Sequence, residues 1–105
     1  YTGTHDNDTI MGWFDGRPRD PDHDELVTSI INGDEKVHFQ LIKAVLESAS
    51  DTAVIPMQDL LGLGNDARMN VPGQASGNWK WRARGSDFGD ELADKLRGMT
   101  RSASR

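Results

Sequence analysis

A histidine and two carboxylates fall within four consecutive residues near the start of the chain, His5, Asp6, Asn7 and Asp8. They follow residues 1–5, whose tyrosine and threonines favour extended backbone, so the cluster is predicted at the end of a strand. Catalytic groups of parallel barrels lie at that end. A His-Asp pair after a strand can equally cap a helix and order a loop. The spacing alone leaves both interpretations open.

Three other patterns are weaker. A calcium loop starting at Asp6 would need a ligand oxygen and then a glycine where the chain has Ile10 and Met11. The acidic stretch 20–25 is typical of a solvated loop, so we assign it no site. The glycines in 62–64 lack both the third glycine and the Lys-Ser/Thr pair of phosphate-binding loops. The residues therefore predict no metal and no cofactor.

Two tryptophans, Trp79 and Trp81, alternate with Lys80 and Arg82 in a polar segment. Such a pair can form a platform on which a sugar ring stacks, or it can close the edge of a sheet. Of the two interpretations we favour closure of the core.

Bulk composition excludes several classes of function. The 105 residues carry 17 acidic and 12 basic side chains and a net charge of −5, which disfavours nucleic acid and anionic membranes as partners. No apolar run is long enough to span a membrane. The absence of cysteine is compatible with a cytoplasmic protein. Because the chain opens with Tyr1 inside a predicted strand end, we expect further sequence upstream.

The clearest predicted element is a helix over residues 37–48, where apolar side chains recur at spacings of three and four. A short helix after Asp8 or Thr9, an exposed loop over 17–25 and a short helix over 26–31 are expected before it.

A continuous apolar run within residues 52–57 predicts a buried strand. Strand, helix and strand in this order are typical of a parallel crossover, so the fold class is α/β. A long loop over 58–82 and a closing helix that starts near Ser86 or Asp87 complete the pattern, with a frayed end over 100–105.

Four motifs together resemble glycoside hydrolase family 77, the 4-α-glucanotransferases that include amylomaltases and plant-type disproportionating enzymes. The first is Tyr-Thr-Gly-Thr-His-Asp-Asn-Asp-Thr running into Gly-Trp, within residues 1–13. The others are Pro-Met-Gln-Asp-Leu-Leu-Gly-Leu-Gly-Asn-Asp-Ala-Arg-Met-Asn over 56–70, Pro-Gly over 72–73 and Gly-Asn-Trp-Lys-Trp-Arg over 77–82. They occur in the family's order and cover essentially the whole chain.

The resemblance implies a (β/α)8 barrel, of which residues 1–105 would be the C-terminal sector, with the end of strand seven, helix seven, strand eight and the terminal helix. It also implies transfer of an α-1,4-glucan segment to the 4-hydroxyl of an acceptor, either glucose or a maltooligosaccharide. The reaction retains configuration through a covalent glycosyl-enzyme and uses no cofactor.

By the same resemblance, Asp6 is the catalytic carboxylate that stabilises the transition state, and His5 binds the same sugar. Asn70 corresponds to a position that contacts the acceptor-side sugar. The nucleophile and the general acid/base belong to earlier strands, so residues 1–105 alone are expected to be inactive. The alternatives are a non-catalytic carbohydrate-binding domain and an inactive structural remnant.

Overall fold

The structure, a computed structural model, describes residues 1–105 and is helical. No residue forms a strand. Two 3₁₀ turns, Asn65–Ala67 and Gly85–Asp87, accompany five α-helices: α1 Ile10–Gly16, α2 Pro21–Ile30, α3 Val37–Leu46, α4 Met57–Leu60 and α5 Asp90–Ser102.

The helix α3 is the centre of the fold and confirms the predicted helix. It packs against α1, α2, α4 and α5. Its periodic apolar side chains provide much of the core, with Leu41 and Leu46 buried and Ile42 completely inaccessible. Burying an isoleucine side chain contributes about 1.5–3 kcal/mol, so α3 is the element whose loss would cost most.

The core around α3 is small for the length of the chain. Only 11 of the 105 residues are buried. The accessible surface is 7097 Å², whereas a compact monomer of this mass exposes about 5,800 Å². Large apolar side chains remain at the surface, among them Tyr1, Trp13, Val54 and Phe88. The chain therefore buries less apolar surface than a self-contained domain of its size.

The strands expected at residues 1–5 and 52–57 are not formed. The two segments touch through a single backbone hydrogen bond, in which Thr2 N donates to Val54 O over 3.2 Å. A ladder needs repeated bonds, and even an isolated pair of strands is only marginally stable. Tyr1 and Val54 are 72% and 56% exposed, so neither segment has the neighbours on both faces that a buried parallel strand requires.

The helix α1 follows its predicted capping signal. Thr9 is the N-cap, and its hydroxyl accepts a hydrogen bond from Gly12 N at 3.1 Å. Asp8, the other candidate cap, accepts from Thr9 N at 2.7 Å instead. Its carboxylate lies so close to Gly12 that a Cβ there would come within 2.3 Å. A side chain at position 12 would therefore displace the Asp8 carboxylate.

The exposed loop expected over 17–25 is wrong in its second half, because α2 begins at Pro21. Asp20 caps this helix by accepting from His23 N at 3.1 Å. Pro21 stands at the first helical position, where its lack of an N–H costs nothing. Asp22 and Asp24 in the first turn complement the helix dipole. These local signals outweigh the polar composition that suggested a loop.

The C-terminal half departs from expectation at both ends of the closing helix. Ser86 and Asp87 lie in the 3₁₀ turn, and α5 starts only at Asp90. The terminus is anchored rather than frayed, because the Arg105 guanidinium donates to four backbone carbonyls at the end of α3 and just after it, those of Leu46, Ser48, Ser50 and Asp51. None of the helices is long and apolar enough to cross a membrane.

Candidate functional site

His5 and Asp6 lie at the tip of a tight turn that Thr4 and Asn7 close. Asn7 N donates to Thr4 O at 3.1 Å. The Asn7 side-chain oxygen accepts from both the backbone N and the hydroxyl of Thr4, at 2.8 and 2.9 Å. Asparagine favours such turns because its side chain can bond to nearby backbone groups. The turn presents the His5 and Asp6 side chains to solvent, with 54% and 50% of their surfaces exposed.

The Asp6 carboxylate has one partner on each oxygen. Asn70 Nδ2 donates to Oδ1 at 2.6 Å, from a residue 64 positions away in the chain. His5 Nε2 lies 3.4 Å from Oδ2. The structure therefore brings the three sequence-predicted site residues together, with the carboxylate bonded to the Asn70 amide, near the His5 imidazole and open to a ligand.

Arg68 ties the backbones on the two sides of this contact. Its Nη2 donates to Asp6 O at 2.8 Å, and its Nε donates to Asn70 O at 2.9 Å. Both bonds go to carbonyl oxygens, and Arg68 forms none of the side-chain ion pairs of the chain. The guanidinium thus sets the positions of two loops rather than neutralising a charge.

Asp59 anchors the segment on either side of the Thr4–Asn7 turn. The side chain is 1% exposed. Its Oδ1 accepts from Ile10 N, the first residue of α1, at 2.8 Å, and its Oδ2 accepts from the Thr2 hydroxyl. Both acceptor oxygens are satisfied, which buried carboxylates require. The two ends of the segment that carries His5 and Asp6 are therefore fixed to α4.

Trp79 covers His5 from the opposite loop. Its backbone has φ of +59°, a left-handed conformation that is rare for a bulky residue. Trp79 N donates to Met69 O at 2.7 Å, which keeps the ring next to Asn70's loop. The indole and imidazole centroids are 5.0 Å apart. Trp79 is 53% exposed and its ring lies beside His5, so the expectation that this residue closes the core is wrong.

Two concave regions flank residues 1–9. A cavity of about 190 Å³ lies beneath His5 and is lined by Asp59, Arg68 and Trp79 among others. A larger groove of about 750 Å³ lies on the other face, between α1 and α3, and is mainly apolar. Asp6 and Asn70 line neither, because their side chains meet at the open surface. The candidate site is an open, half-exposed surface, so it can present polar groups to a ligand without enclosing the ligand.

The turn after α4 depends on a close contact with α3. Gly62 has φ of +68°, and a Cβ there would lie 2.8 Å from His38 Cε1 and Nδ1. His38 is buried, and desolvation is the main cause that lowers its pKa below the ordinary 6.5, with the positive charge of Lys36 acting in the same direction. A neutral His38 ring therefore supports the glycine turn that leads to Arg68 and Asn70.

Sequence reasoning missed four residues that organise this site: Asn7, Asp59, Arg68 and Trp79 in its role beside His5. Asn7 carried a local signal, since an asparagine three residues after a threonine suits a side-chain-closed turn. Asp59 and Arg68 carried none, because the partners of Asp59 and the Asp6 partner of Arg68 are 49 to 62 positions distant. The acidic stretch at the start of α2 is not part of the site. There the Asp20 carboxylate pairs with His23 at 2.9 Å, and its pKa is lowered mainly because His23 N donates to it.

Comparison with known proteins identifies relatives along the whole chain. The family model for glycoside hydrolase family 77, 4-alpha-glucanotransferase, matches residues 1–87. The 4-alpha-glucanotransferase of Synechocystis sp. is 44% identical over 101 residues, which are 95% of this chain and 20% of that protein. The corresponding enzyme of Thermus thermophilus is 38% identical over 112 residues, covering 100% of this chain and 22% of the enzyme.

A solved structure agrees with these relatives. The amylomaltase from Streptococcus agalactiae, determined in complex with acarbose, superposes on all of this chain with a TM-score of 0.90 and 31% identity. The match covers 21% of that amylomaltase. The chain thus spans about a fifth of the length of the relatives it matches. It belongs to glycoside hydrolase family 77, the family of the 4-alpha-glucanotransferases.

Proposed function

We propose that this chain forms the C-terminal sector of the catalytic barrel of a 4-α-glucanotransferase, here called the full-length enzyme. That enzyme transfers a segment of an α-1,4-glucan to the 4-hydroxyl of glucose or of a maltooligosaccharide. The observation that carries the proposal is the meeting of Asp6, His5 and Asn70 at one surface, from segments 64 positions apart. A related amylomaltase was solved in complex with acarbose, which supports an oligosaccharide as a ligand of the full-length enzyme.

The geometry suits a carboxylate that acts through charge. Retaining transfer builds positive charge on the sugar that is being cleaved, and an ionised carboxylate beside it stabilises that charge most strongly in the transition state. Asn70 donates to one oxygen of Asp6 and leaves the other towards His5. Both side chains of the His5–Asp6 pair are about half exposed, so their polar atoms are available to sugar hydroxyls.

The remaining chemistry needs residues that this chain does not supply. A retaining enzyme places its nucleophile and its general acid/base about 5–5.5 Å apart across the scissile bond. We assign both to earlier strands of the full-length enzyme. Within the barrel, residues 1–5 and 52–57 would become strands seven and eight once neighbouring strands pair with them. That completion would bury Tyr1 and Val54, which are exposed in the chain by itself.

The test is disproportionation of maltotriose by the full-length enzyme. The wild-type enzyme should produce glucose together with maltooligosaccharides longer than maltotriose. Asp6→Asn keeps the shape of the side chain but removes its charge, and we expect turnover to fall by about three orders of magnitude or more with an unchanged fold. Near-normal disproportionation by Asp6→Asn would refute the role of Asp6. Glucan binding without any transfer by the wild type would favour a carbohydrate-binding domain instead.

A further inference from the structure

Arg68 is the one side chain that bonds to both loops of the candidate site. It bridges the carbonyl oxygen of Asp6, which precedes α1, and the carbonyl oxygen of Asn70, in the loop after α4. The direct contact between the Asp6 and Asn70 side chains is exposed, so water competes for it. The Arg68 bond to Asp6 O is exposed as well and the bond to Asn70 O is partly buried, so the guanidinium adds a second link between the two loops beside the side-chain contact.

The geometry of this bridge is specific to arginine. The bonds leave two different nitrogens of one planar guanidinium, Nε at 2.9 Å and Nη2 at 2.8 Å. Because the guanidinium is rigid, the two carbonyls are held at a fixed separation. A lysine ammonium at the same place would keep the positive charge but could not reproduce the fork.

We infer that Arg68 is a positioning residue that selects a sugar hydroxyl over water as the acceptor. This inference rests on the proposed function, in which Asp6 faces the cleaved sugar and Asn70 the acceptor sugar. The bond formed in the second step joins the acceptor oxygen to the anomeric carbon, while the bond to the nucleophile carboxylate breaks and the acceptor proton passes to the general base. An acceptor sugar gives transfer, and water gives hydrolysis.

The two outcomes respond differently to a loosened bridge. An acceptor sugar must be bound and oriented before its 4-hydroxyl can attack, and small displacements of a positioning group reduce such rates strongly. Water attacks from the same face with the help of the same general base, but it needs no sugar-binding subsite to reach that position. Loss of the bridge should therefore slow transfer more than hydrolysis, whereas a loss of general stability would reduce both equally.

The experiment compares Arg68→Lys and Arg68→Gln with the wild type in the full-length enzyme, with maltotriose as substrate. Transfer leaves the number of reducing ends unchanged and hydrolysis raises it. The ratio of new reducing ends to total product therefore measures the partition, that is, how the glycosyl-enzyme divides between transfer and hydrolysis. We expect the ratio of transfer to hydrolysis to fall by about 10-fold in both variants. The KM for glucose as acceptor should rise in both, with the apparent Tm within a few degrees of wild type.

Arg105 provides a matched control, because its guanidinium also donates to backbone carbonyls but lies at the C-terminus, away from the site. Arg105→Lys should lower the apparent Tm and leave the partition at the wild-type value. An unchanged partition in folded Arg68 variants would overturn the inference, and so would failure of both variants to fold, since Arg68 would then be a structural residue. Absence of transfer in the wild-type enzyme would instead refute the proposed function.

Discussion

Asn70 Nδ2 donates a 2.6 Å hydrogen bond to Asp6 Oδ1 across 64 positions of sequence. The bond joins the candidate catalytic carboxylate to the candidate acceptor-side residue, so the orientation of one depends on the other. Arg68 holds the two backbones beneath it. The site is consequently a pair of coupled loops, and changes in either loop should affect the carboxylate.

Substitution of Asn70 tests this coupling. Asn70→Ala removes the donor, and a bond to a charged but exposed acceptor of this kind is worth about 1.4 kcal/mol, or about 10-fold in kcat/KM. Asn70→Asp should be worse, because it sets a second carboxylate against Asp6. The check is kcat/KM for maltotriose with the full-length enzyme, where equal activity of Asn70→Asp and wild type would contradict the contact.

Asp59 should be required for stability as well as activity. Asp59→Ala removes both acceptor oxygens and leaves Ile10 N and the Thr2 hydroxyl without the carboxylate to which they donate. A buried donor without an acceptor costs about 1–3 kcal/mol, so the apparent Tm should fall. Asp66→Ala, at an exposed position of the same motif, is the control and should leave the Tm unchanged. A similar Tm for both variants would contradict the anchoring role.

The left-handed turn at Gly62 should not accept a side chain. Gly62→Ala adds about 1–2 kcal/mol of backbone strain at positive φ, and its Cβ would lie 2.8 Å from the His38 ring. Thermal unfolding should show a clear loss of stability. Gly64→Ala is the matched control, because a Cβ there meets nothing within 4 Å and its φ is −84°. Its effect should be within about 0.5 kcal/mol of zero, and an equal loss in both variants would contradict the packing of His38 on Gly62.

Burial of His38 predicts a stability that falls in mild acid. The folded pKa is below the ordinary 6.5, so the unfolded state binds the proton more readily, and stability rises with pH. His38 therefore contributes fully above about pH 6.5, and its contribution is lost as the pH falls through the lowered pKa. His38→Gln should flatten the dependence of the apparent Tm on pH between about 7 and 5.5. An undiminished slope in the variant would assign the effect to other groups.

Residues 1–105 alone should have no transferase activity. Asp6 can stabilise a transition state, but it cannot replace a nucleophile and a general acid on opposite sides of the bond. The purified chain should release no glucose from maltotriose and make no longer products. Transfer that persists after host enzymes are removed, and that Asp6→Asn abolishes, would show an active site built differently from the one proposed.

Local signals in the sequence determined much of the helical structure. The spacing of apolar side chains over 37–48 predicted α3, which ends at Leu46. The capping signal at Asp8 or Thr9 predicted the start of α1, where Thr9 is the cap. These signals act within three or four residues, the reach of a helical turn or a cap. The same kind of signal was present at Asp20 and Pro21, where the sequence was interpreted by its charge, so the predicted helix began at residue 26 whereas α2 begins at Pro21.

The motifs identified His5, Asp6 and Asn70 as candidates, but only the tertiary structure decided how they meet. Asp59, Arg68 and Trp79 act on this site through partners that are far away in sequence, and no periodicity reports such contacts. The strands predicted at 1–5 and 52–57 are not formed, for a related reason. A strand is stabilised by hydrogen bonds to its neighbours, so an apolar run favours a strand without determining one, whereas a helix such as α3 forms its backbone bonds within itself.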